Sequence, residues 1–224
     1  MRPGRVAVVT PVYNNEATLP ELAERLAAAL EGRHWSLRFV IDASPDASLA
    51  VATGLAAADD RLAVTALAEN VGQNRALLAG LAAEGEAGAF VCLDADLQDP
   101  PEAVPLLLER LGRGDVGVVF AGRRGAYESR ARLLTGTAHR AVLARLTGVP
   151  ADAGAFLAMD RPARDALLAL RPPGLVAGVG GAGIRSASVP VVRAPRPSGR
   201  SAWTASARLR QSGRTLAWAW RARA

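Results

Sequence analysis

Hydrophobic and polar positions alternate along the first half of the chain in two repeating patterns. Short apolar runs rich in β-branched residues predict buried strands at 6–10, 37–41, 62–67, 89–93 and 116–122. Between these runs, apolar residues at helical spacing predict helices at 19–30, 46–60, 73–84 and 100–111. Strands that alternate with helices of about ten to fifteen residues predict an α/β domain with a mostly parallel sheet.

Two of the predicted helices begin with polar capping signatures. Thr18 with Glu21 forms the pattern of a capping box, and Pro20 is tolerated in the first turn. Asp99 with Glu102 repeats the pattern around Pro100 at the first helical position. We therefore expect Asp99 to cap its helix rather than to take part in chemistry.

Beyond Gly122 the pattern loosens. It predicts an arginine-bearing helix near 130–147, a mixed segment to about 170, a Gly/Pro-rich stretch to 184, a strand at 185–193 and a basic helix near 204–222. A chain of 224 residues without an internal repeat or a low-complexity linker favours one domain, 1–224, whose carboxyl-terminal half is specialised.

Charge is distributed unevenly. The net charge is +6, but Asp165 is the last acidic residue, so residues 166–224 carry ten arginines and no carboxylate. A basic segment of this kind usually binds the phosphates of nucleic acid, lipid or nucleotide. The single cysteine, Cys92, excludes an internal disulfide, and no signal peptide or apolar stretch of about 18 residues is found. We expect a cytoplasmic protein, either free or peripheral on the inner face of the membrane.

The sequence DADLQD, which follows the apolar run 89–93, is the strongest candidate site. In open α/β sheets, ligands bind beyond the carboxyl ends of the strands. Because side chains alternate along extended backbone, Asp94, Asp96 and Gln98 should point one way and Ala95 and Leu97 the other. Oxygen ligands of this kind suit Mg²⁺ or Mn²⁺ held partly by substrate phosphates. Acidic residues also end strands simply because loops are solvated.

Other motifs are weaker. GVGGAG at 178–183 has the glycine spacing of a dinucleotide fingerprint, but it precedes a predicted strand where the motif requires a helix, so we interpret it as a glycine-rich loop. His34 and His139 have no nucleophile motif near them, and no P-loop sequence occurs.

Five segments taken together, VVTPVYNNEATLPEL, VIDASPDAS, ENVGQNRALLAGL, DADLQDPPE and RPSGRSAW, resemble the inverting family-2 glycosyltransferases of GT-A fold. More narrowly, the chain is similar to the branch with dolichyl-phosphate mannose synthase and the bacterial polyprenyl-phosphate sugar transferases. The resemblance implies a Rossmann-like nucleotide-binding sheet and transfer of a hexose from a GDP- or UDP-sugar to polyprenyl phosphate. Residues 1–122 would bind the nucleotide sugar and 123–224 the acceptor.

The resemblance also implies roles for individual residues. Those expected to bind the nucleotide sugar are Pro11, Tyr13, Asn15, Glu16, Asp42, Ser44, Asn70, Gly72, Gln73 and Asp94. Asp94, Asp96 and Gln98 would hold Mg²⁺ or Mn²⁺ on the diphosphate. The arginines and serine that could contact the acceptor phosphate are Arg123, Arg124, Arg130, Arg132, Arg196, Arg200 and Ser201. Asp96, Arg132 and Arg196 are the residues we expect to matter most for catalysis.

The last predicted helix mixes arginines with Trp218 and Trp220, which suits a helix lying in a membrane interface. Packing of these tryptophans against the domain is the alternative. The chain also departs from the family pattern, most clearly at Ile41, where relatives usually carry the first of two consecutive acids. The resemblance implies that this change removes a contact to the base or ribose of the donor and bears on donor specificity.

Three other functions remain open at this point. The same fold and donor could serve a soluble small-molecule acceptor. The high pI of about 11.0 would suit a nucleic-acid-binding module, but the chain lacks a recognition motif, so no nucleic-acid partner is expected. A nucleotidyltransferase, which would release pyrophosphate, is a lesser alternative.

Overall fold

The computed structural model describes residues 4–124, 145, 148–193 and 218, and of Arg123 and Arg124 it describes the backbone alone. The strands are β1 Val6–Val12, β2 Trp35–Asp42, β3 Leu62–Leu67, β4 Ala89–Cys92, β5 Val118–Arg124, β6 Leu157–Asp160 and β7 Ser186–Val192. The helices bounded within the described residues are α1 Leu19–Ala29, α2 Ser48–Ala58, α3 Gln73–Ala83, α4 Val104–Leu111, α5 Arg161–Leu170 and α6 Leu175–Gly181.

The seven strands of the described residues form one sheet in the order β3-β2-β1-β4-β6-β5-β7. The β1–β2, β2–β3, β1–β4 and β5–β7 pairs are parallel, and only β6 runs against its neighbours. The predicted α/β class with a mostly parallel sheet is confirmed. The chain builds outward from β1 to β3 and then returns to the other side of β1 as β4. The strand order therefore reverses between β1 and β4. In open α/β sheets, ligands bind at such a reversal point, beyond the carboxyl ends of the strands.

The sheet is covered on both faces. One face packs against α1, α2 and α4, and the other against α3, α5 and α6. Because both faces are buried, the central strands are apolar at successive positions, as in the fully buried run Ala89–Cys92. The leucines predicted at helical spacing in and after α1, Leu19, Leu22, Leu26 and Leu30, are fully buried. Each stabilises the fold by about 1.5–3 kcal/mol relative to an exposed position.

Gly80 lets α3 lie directly on the sheet. A Cβ at this position would collide with the side chains of Val9 on β1 and Val40 on β2. The absence of a side chain at Gly80 therefore allows α3 to pack directly on β1 and β2. The buried Cys92 lies on the same face, and burial, together with the nearby charge of Asp94, raises the pKa of its thiol. A buried thiol with a raised pKa is a poor nucleophile.

Two elements in the second half differ from the sequence prediction. The mixed segment to about 170 contains β6 and α5, and Asp160 begins that helix by accepting a hydrogen bond at Oδ1 from the Ala163 N–H (2.8 Å). The prediction of a glycine-rich loop at 178–183 was wrong for residues 178–181, because residues 175–181 form α6. Gly178 lies so close to α5 that a Cβ would meet Leu167 Cδ2 at 2.6 Å. Tertiary packing outweighs the low helix propensity of glycine here.

Both capping predictions were wrong. Thr18 stands at the start of α1 without a side-chain capping bond, and its hydroxyl donates instead to the carbonyl of Ala95 (2.6 Å). Asp99 does not cap the turn at Pro101–Ala103 that leads into α4, since it is paired with Arg193. The expected partners Glu21 and Glu102 both bind Arg25, at 3.0 and 2.8 Å.

The predicted helices near 130–147 and 204–222 lie outside the described residues, apart from Arg145 and Trp218, both in helical conformation. Trp218 packs against Ala177 of α6, which supports the packing alternative for this tryptophan. In the part of the chain that the structure describes, we find no helix with the length and apolar character needed to cross a bilayer.

Candidate active site

The acidic loop that follows β4 lies at the reversal point of the sheet. Asp94, Asp96 and Gln98 are half-buried, whereas Ala95 and Leu97 are buried in the core, so burial alternates as predicted. The backbone is nevertheless not extended, because the chain turns after Asp94 and Leu97 adopts a φ of +59°. The Gln98 N–H donates to Oδ1 of Asp96 (3.1 Å) and closes this turn. The turn keeps the polar side chains partly accessible beyond the carboxyl end of β4.

The two carboxylate oxygens of Asp94 face partners from different elements. Gln73, the first residue of α3, donates from Nε2 to Oδ1 of Asp94. Arg193, which directly follows β7, places Nη2 3.6 Å from Oδ2. Asp94 is therefore held between a helix start on one side and a strand end on the other.

Arg193 also forms a closer ion pair with Asp99, whose Oδ1 accepts from Nε at 2.6 Å. The two side chains are only 8% and 3% exposed. Burial by itself lowers the pKa of Arg193, but the charge and hydrogen bond of Asp99, with the charges of Asp94 and Asp96, outweigh it and raise the pKa. Arg193 therefore stays cationic inside the acidic loop.

Asp42 shapes the loop before α3. Its Oδ1 accepts from the Val71 N–H (2.7 Å) and its Oδ2 from the Gly72 N–H (2.9 Å), while Asn70 donates from Nδ2 to its backbone carbonyl (3.2 Å). Gly72 has a φ of +85° and a ψ of 154°, a conformation that is almost restricted to glycine. Since Asp42 is 3% exposed, it positions this loop and presents little surface to a ligand.

A second hydrogen-bond network joins the loops after β1 and β2. Ser44 accepts from the Asn14 N–H (2.8 Å) and donates to Oδ1 of Asp46 (2.6 Å), and the other oxygen of Asp46 accepts from the Glu16 N–H (3.1 Å). Glu16 in turn accepts from the Ala47 N–H (2.6 Å). Burial raises the pKa of Asp46, but hydrogen bonds from Ser44, Ser48 and the Glu16 backbone together lower it. The loop carrying Tyr13 is thus held by an ionised carboxylate.

The predicted donor residues therefore lie at four loops: those after β1, β2 and β4 and the loop that leads into α3. Pro11 is half-buried in β1, Tyr13 is 37% exposed just beyond it, and Asn15 accepts from the Tyr13 N–H (3.2 Å). An exposed aromatic ring beside polar groups can stack on a nucleotide base. Ile41, at the position where the family resemblance implies an acid, is buried in the core and presents no polar group.

The acidic loop fits a divalent cation that is completed by a ligand. Among the described residues, no group of three or more His, Cys, Asp or Glu side chains is arranged to hold a metal alone. Mg²⁺ characteristically binds one or two carboxylates together with water and substrate phosphates. Asp94 and Asp96, half-buried at the reversal point, match that donor set and not a closed protein cage.

The predicted acceptor residues are mostly outside this description. Arg130, Arg132, Arg196, Arg200 and Ser201 lie outside the described residues, and Arg123 and Arg124 are placed on β5 by their backbone alone. Sequence reasoning also missed three residues of this edge. They are Asp46, Arg193 and Asp152. The carboxylate of Asp152 and the hydroxyl of Ser188 both lie against Gly122, where a Cβ would collide with them. The position of Arg193, at the end of a predicted strand and three residues before Arg196, was the signal available for it.

Comparison with known proteins agrees with this geometry. The model of the family described as "Glycosyl transferase family 2" matches residues 7–163, which include every described loop of the donor side. An undecaprenyl-phosphate 4-deoxy-4-formamido-L-arabinose transferase of Pseudomonas aeruginosa is 40% identical over 171 residues, 74% of this chain. A protein of the same name from Pectobacterium carotovorum is 37% identical over 158 residues, 68% of this chain. The chain spans about half the length of these curated relatives (50% and 47%).

Solved structures share the fold at low sequence identity. Glucosyl-3-phosphoglycerate synthase from Mycobacterium tuberculosis, in complex with Mn²⁺, UDP-glucose and phosphoglyceric acid, is 21% identical with a TM-score of 0.68, over 98% of this chain and 79% of that one. A mannosyltransferase from Pyrobaculum calidifontis, in complex with GDP-mannose and Mn²⁺, is 23% identical with a TM-score of 0.59, over 99% of this chain and 65% of that one. The predicted GT-A fold is confirmed.

Proposed function

The chain belongs to glycosyl transferase family 2, and on that premise we propose that it transfers a sugar from a GDP- or UDP-sugar to polyprenyl phosphate, with inversion and with the help of Mg²⁺ or Mn²⁺. Residues 1–122 would bind the donor and residues 123–224 the acceptor. The curated relatives are named for a formamido-arabinose and not for a hexose, so the proposal leaves the sugar itself open.

The observation that carries the proposal is the holding of Asp94 at the reversal point between β1 and β4. Gln73 and Arg193 contact its two oxygens from α3 and from the end of β7. A divalent cation bound by Asp94 and Asp96, with Gln98 nearby, would supply positive charge where the leaving diphosphate develops negative charge. Because the carboxylates are already held in place, the cation could bind without rearrangement of the loop.

The other described residues would bind and orient the donor. Asp42 holds the amides of Val71 and Gly72 and thereby sets the loop that leads into α3. Asp46 holds the loop of Tyr13, whose ring would stack on the base. A phosphate acceptor arrives ionised and therefore needs no strong general base. The arginines of the second half, Arg196 first among them, would neutralise the acceptor phosphate.

Calorimetric titration tests the donor side. The protein is titrated with UDP and with GDP, each in Mn²⁺ and in EDTA, and we expect one nucleotide to bind only in Mn²⁺. Binding of neither nucleotide would refute the donor assignment and would implicate Ile41. Release of pyrophosphate in place of nucleoside diphosphate during turnover would identify a nucleotidyltransferase instead.

A soluble acceptor is the second candidate. The structural match to glucosyl-3-phosphoglycerate synthase, which was solved with phosphoglyceric acid, covers 98% of this chain. Transfer to undecaprenyl phosphate in detergent is compared with transfer to 3-phosphoglycerate in water, using the donor base found by calorimetry. Lipid transfer, with salt-sensitive binding to anionic vesicles through the arginine-rich segment, supports the first proposal. In either case, Arg196→Ala should impair acceptor use more than donor binding.

A further inference from the structure

Arg193 is a buried cation that joins distant parts of the chain. It directly follows β7, which lies three strands from β4 in the sheet. Its Nε binds Asp99 at 2.6 Å and its Nη2 lies 3.6 Å from Asp94. A single guanidinium therefore contacts both ends of the acidic loop that begins at Asp94 and ends at Asp99.

Stability alone does not account for this arrangement. Moving a guanidinium and a carboxylate out of water is costly, and a buried ion pair is often no more stable than an apolar pair of the same volume. The planar guanidinium does offer several donors in a rigid geometry, which an ammonium group cannot reproduce. The pair therefore gives the loop a defined position more than it gives the fold free energy.

The contact to Asp94 has a counterpart on the other side of that carboxylate. Gln73 donates to Oδ1, and Arg193 faces Oδ2. Groups that orient a metal ligand without touching the metal typically change metal affinity by about 10–100-fold when they are removed. The positive charge of Arg193 also offsets the repulsion between Asp94, Asp96 and Asp99, so the three carboxylates can stay close together before a cation arrives.

We propose that Arg193 is a positioning residue for the transfer reaction. It holds the acidic loop, from Asp94 to Asp99, in the orientation that binds the cation and the donor diphosphate. The inference rests on the proposed function. It also links the donor side to the acceptor side, because the chain that leaves β7 at Arg193 continues into the segment with Arg196 and Arg200. Asp99 acts in this scheme through Arg193 and does not touch the ligand.

The test measures Mn²⁺ binding in the presence of UDP and, separately, GDP, from the loss of the EPR signal of free Mn²⁺. Wild type is compared with Arg193→Gln, Arg193→Lys and Asp99→Asn. We expect each variant to bind Mn²⁺ with nucleotide about 10–100-fold more weakly. The lysine variant keeps the charge but cannot contact both carboxylates, so it should not rescue binding. Arg61→Gln is the control, because Arg61 forms an exposed ion pair with Asp59.

A single substitution leaves one buried charge without its partner and can impair folding. The double variant Asp99→Asn with Arg193→Gln replaces both charges by amides and avoids this. It should bind Mn²⁺ about as weakly as Arg193→Gln alone, since the two residues act as one unit.

Three results would overturn the proposal. Unchanged or tighter Mn²⁺ binding in a folded Arg193→Gln or double variant would show that Arg193 does not orient the site. Full rescue by lysine would show that charge alone matters. Failure of wild type to bind Mn²⁺ with either nucleotide would remove the proposed function itself, and this inference with it.

Discussion

Gln73 donates a hydrogen bond from Nε2 to Oδ1 of Asp94, and this bond joins the first turn of α3 to the end of β4. The two residues come from segments 21 positions apart that the sheet brings to one edge. Asp94 is a candidate metal ligand, and Gln73 sets the direction in which its carboxylate points. The loop before α3, which Asp42 holds, and the acidic loop after β4 are therefore joined in one candidate site.

Replacement of Gln73 by leucine should weaken the site without unfolding the protein. The side chain keeps a similar length but loses the amide that orients Asp94, and we expect Mn²⁺-dependent nucleotide binding to fall about 10-fold or more. Calorimetry with UDP and GDP measures the change. Arg75→Leu, at an exposed position two residues later in α3, is the matched control and should bind like wild type. Equal binding by the Gln73 variant would show that Asp94 needs no support from α3.

Asp96→Ala should abolish donor turnover and metal-dependent nucleotide binding. The carboxylate would supply one of the few protein oxygens on the cation, so we expect turnover to drop at least about 100-fold. The unfolding free energy should change by only about 1 kcal/mol, because the side chain is half-buried in a surface turn. Asp60→Ala, which removes an exposed aspartate at the other edge of the sheet, is the control. Near-normal turnover in the Asp96 variant would contradict the metal assignment.

Two glycine substitutions should change stability in opposite directions. A methyl group at Gly80 would collide with Val9 and Val40, so Gly80→Ala should lower the unfolding free energy by about 1–3 kcal/mol. Gly54, at the middle of α2, has open space around its Cα, so Gly54→Ala should raise it by about 0.5–1 kcal/mol. Urea titration measures both. Similar effects at the two positions would mean that α3 does not lie as close to the sheet as described.

The network at Asp46 predicts a pH dependence of stability. Hydrogen bonds hold its pKa below the ordinary value of 3.8 in the folded protein. Its contribution is therefore fully present above the unfolded pKa and is lost as pH falls through the lower folded value. At pH 7, Asp46→Asn should lower the unfolding free energy by about 1 kcal/mol.

Urea titrations between pH 7 and pH 3 test that prediction. The difference between wild type and Asp46→Asn should be constant down to about pH 4 and should shrink below it. Asp60→Asn, whose aspartate is exposed, serves as control. A difference that grows as pH falls would mean that burial, not hydrogen bonding, dominates the pKa of Asp46.

Short-range patterns were enough to predict most of the first half of the fold. The run VAVVT and the leucines of α1 stand where predicted, because burial on both faces of a sheet and on one face of a helix leaves a local periodic signal. The same patterns failed at α6, where glycines form a helix only because α5 lies against them. They also failed at Thr18 and Asp99, whose side chains bind partners far away in the chain.

The sequence by itself determined the family, the α/β class and the acidic loop at the end of a buried strand, because each of these leaves its signal in short segments of consecutive residues. Only the tertiary structure decided which distant residues contact that loop. Gln73 comes to it from α3, and Arg193 comes from the end of β7, 94 residues after the aspartate that it binds. Neither contact leaves a periodic trace, because each depends on strand order, which brings distant strand ends to one edge of the sheet.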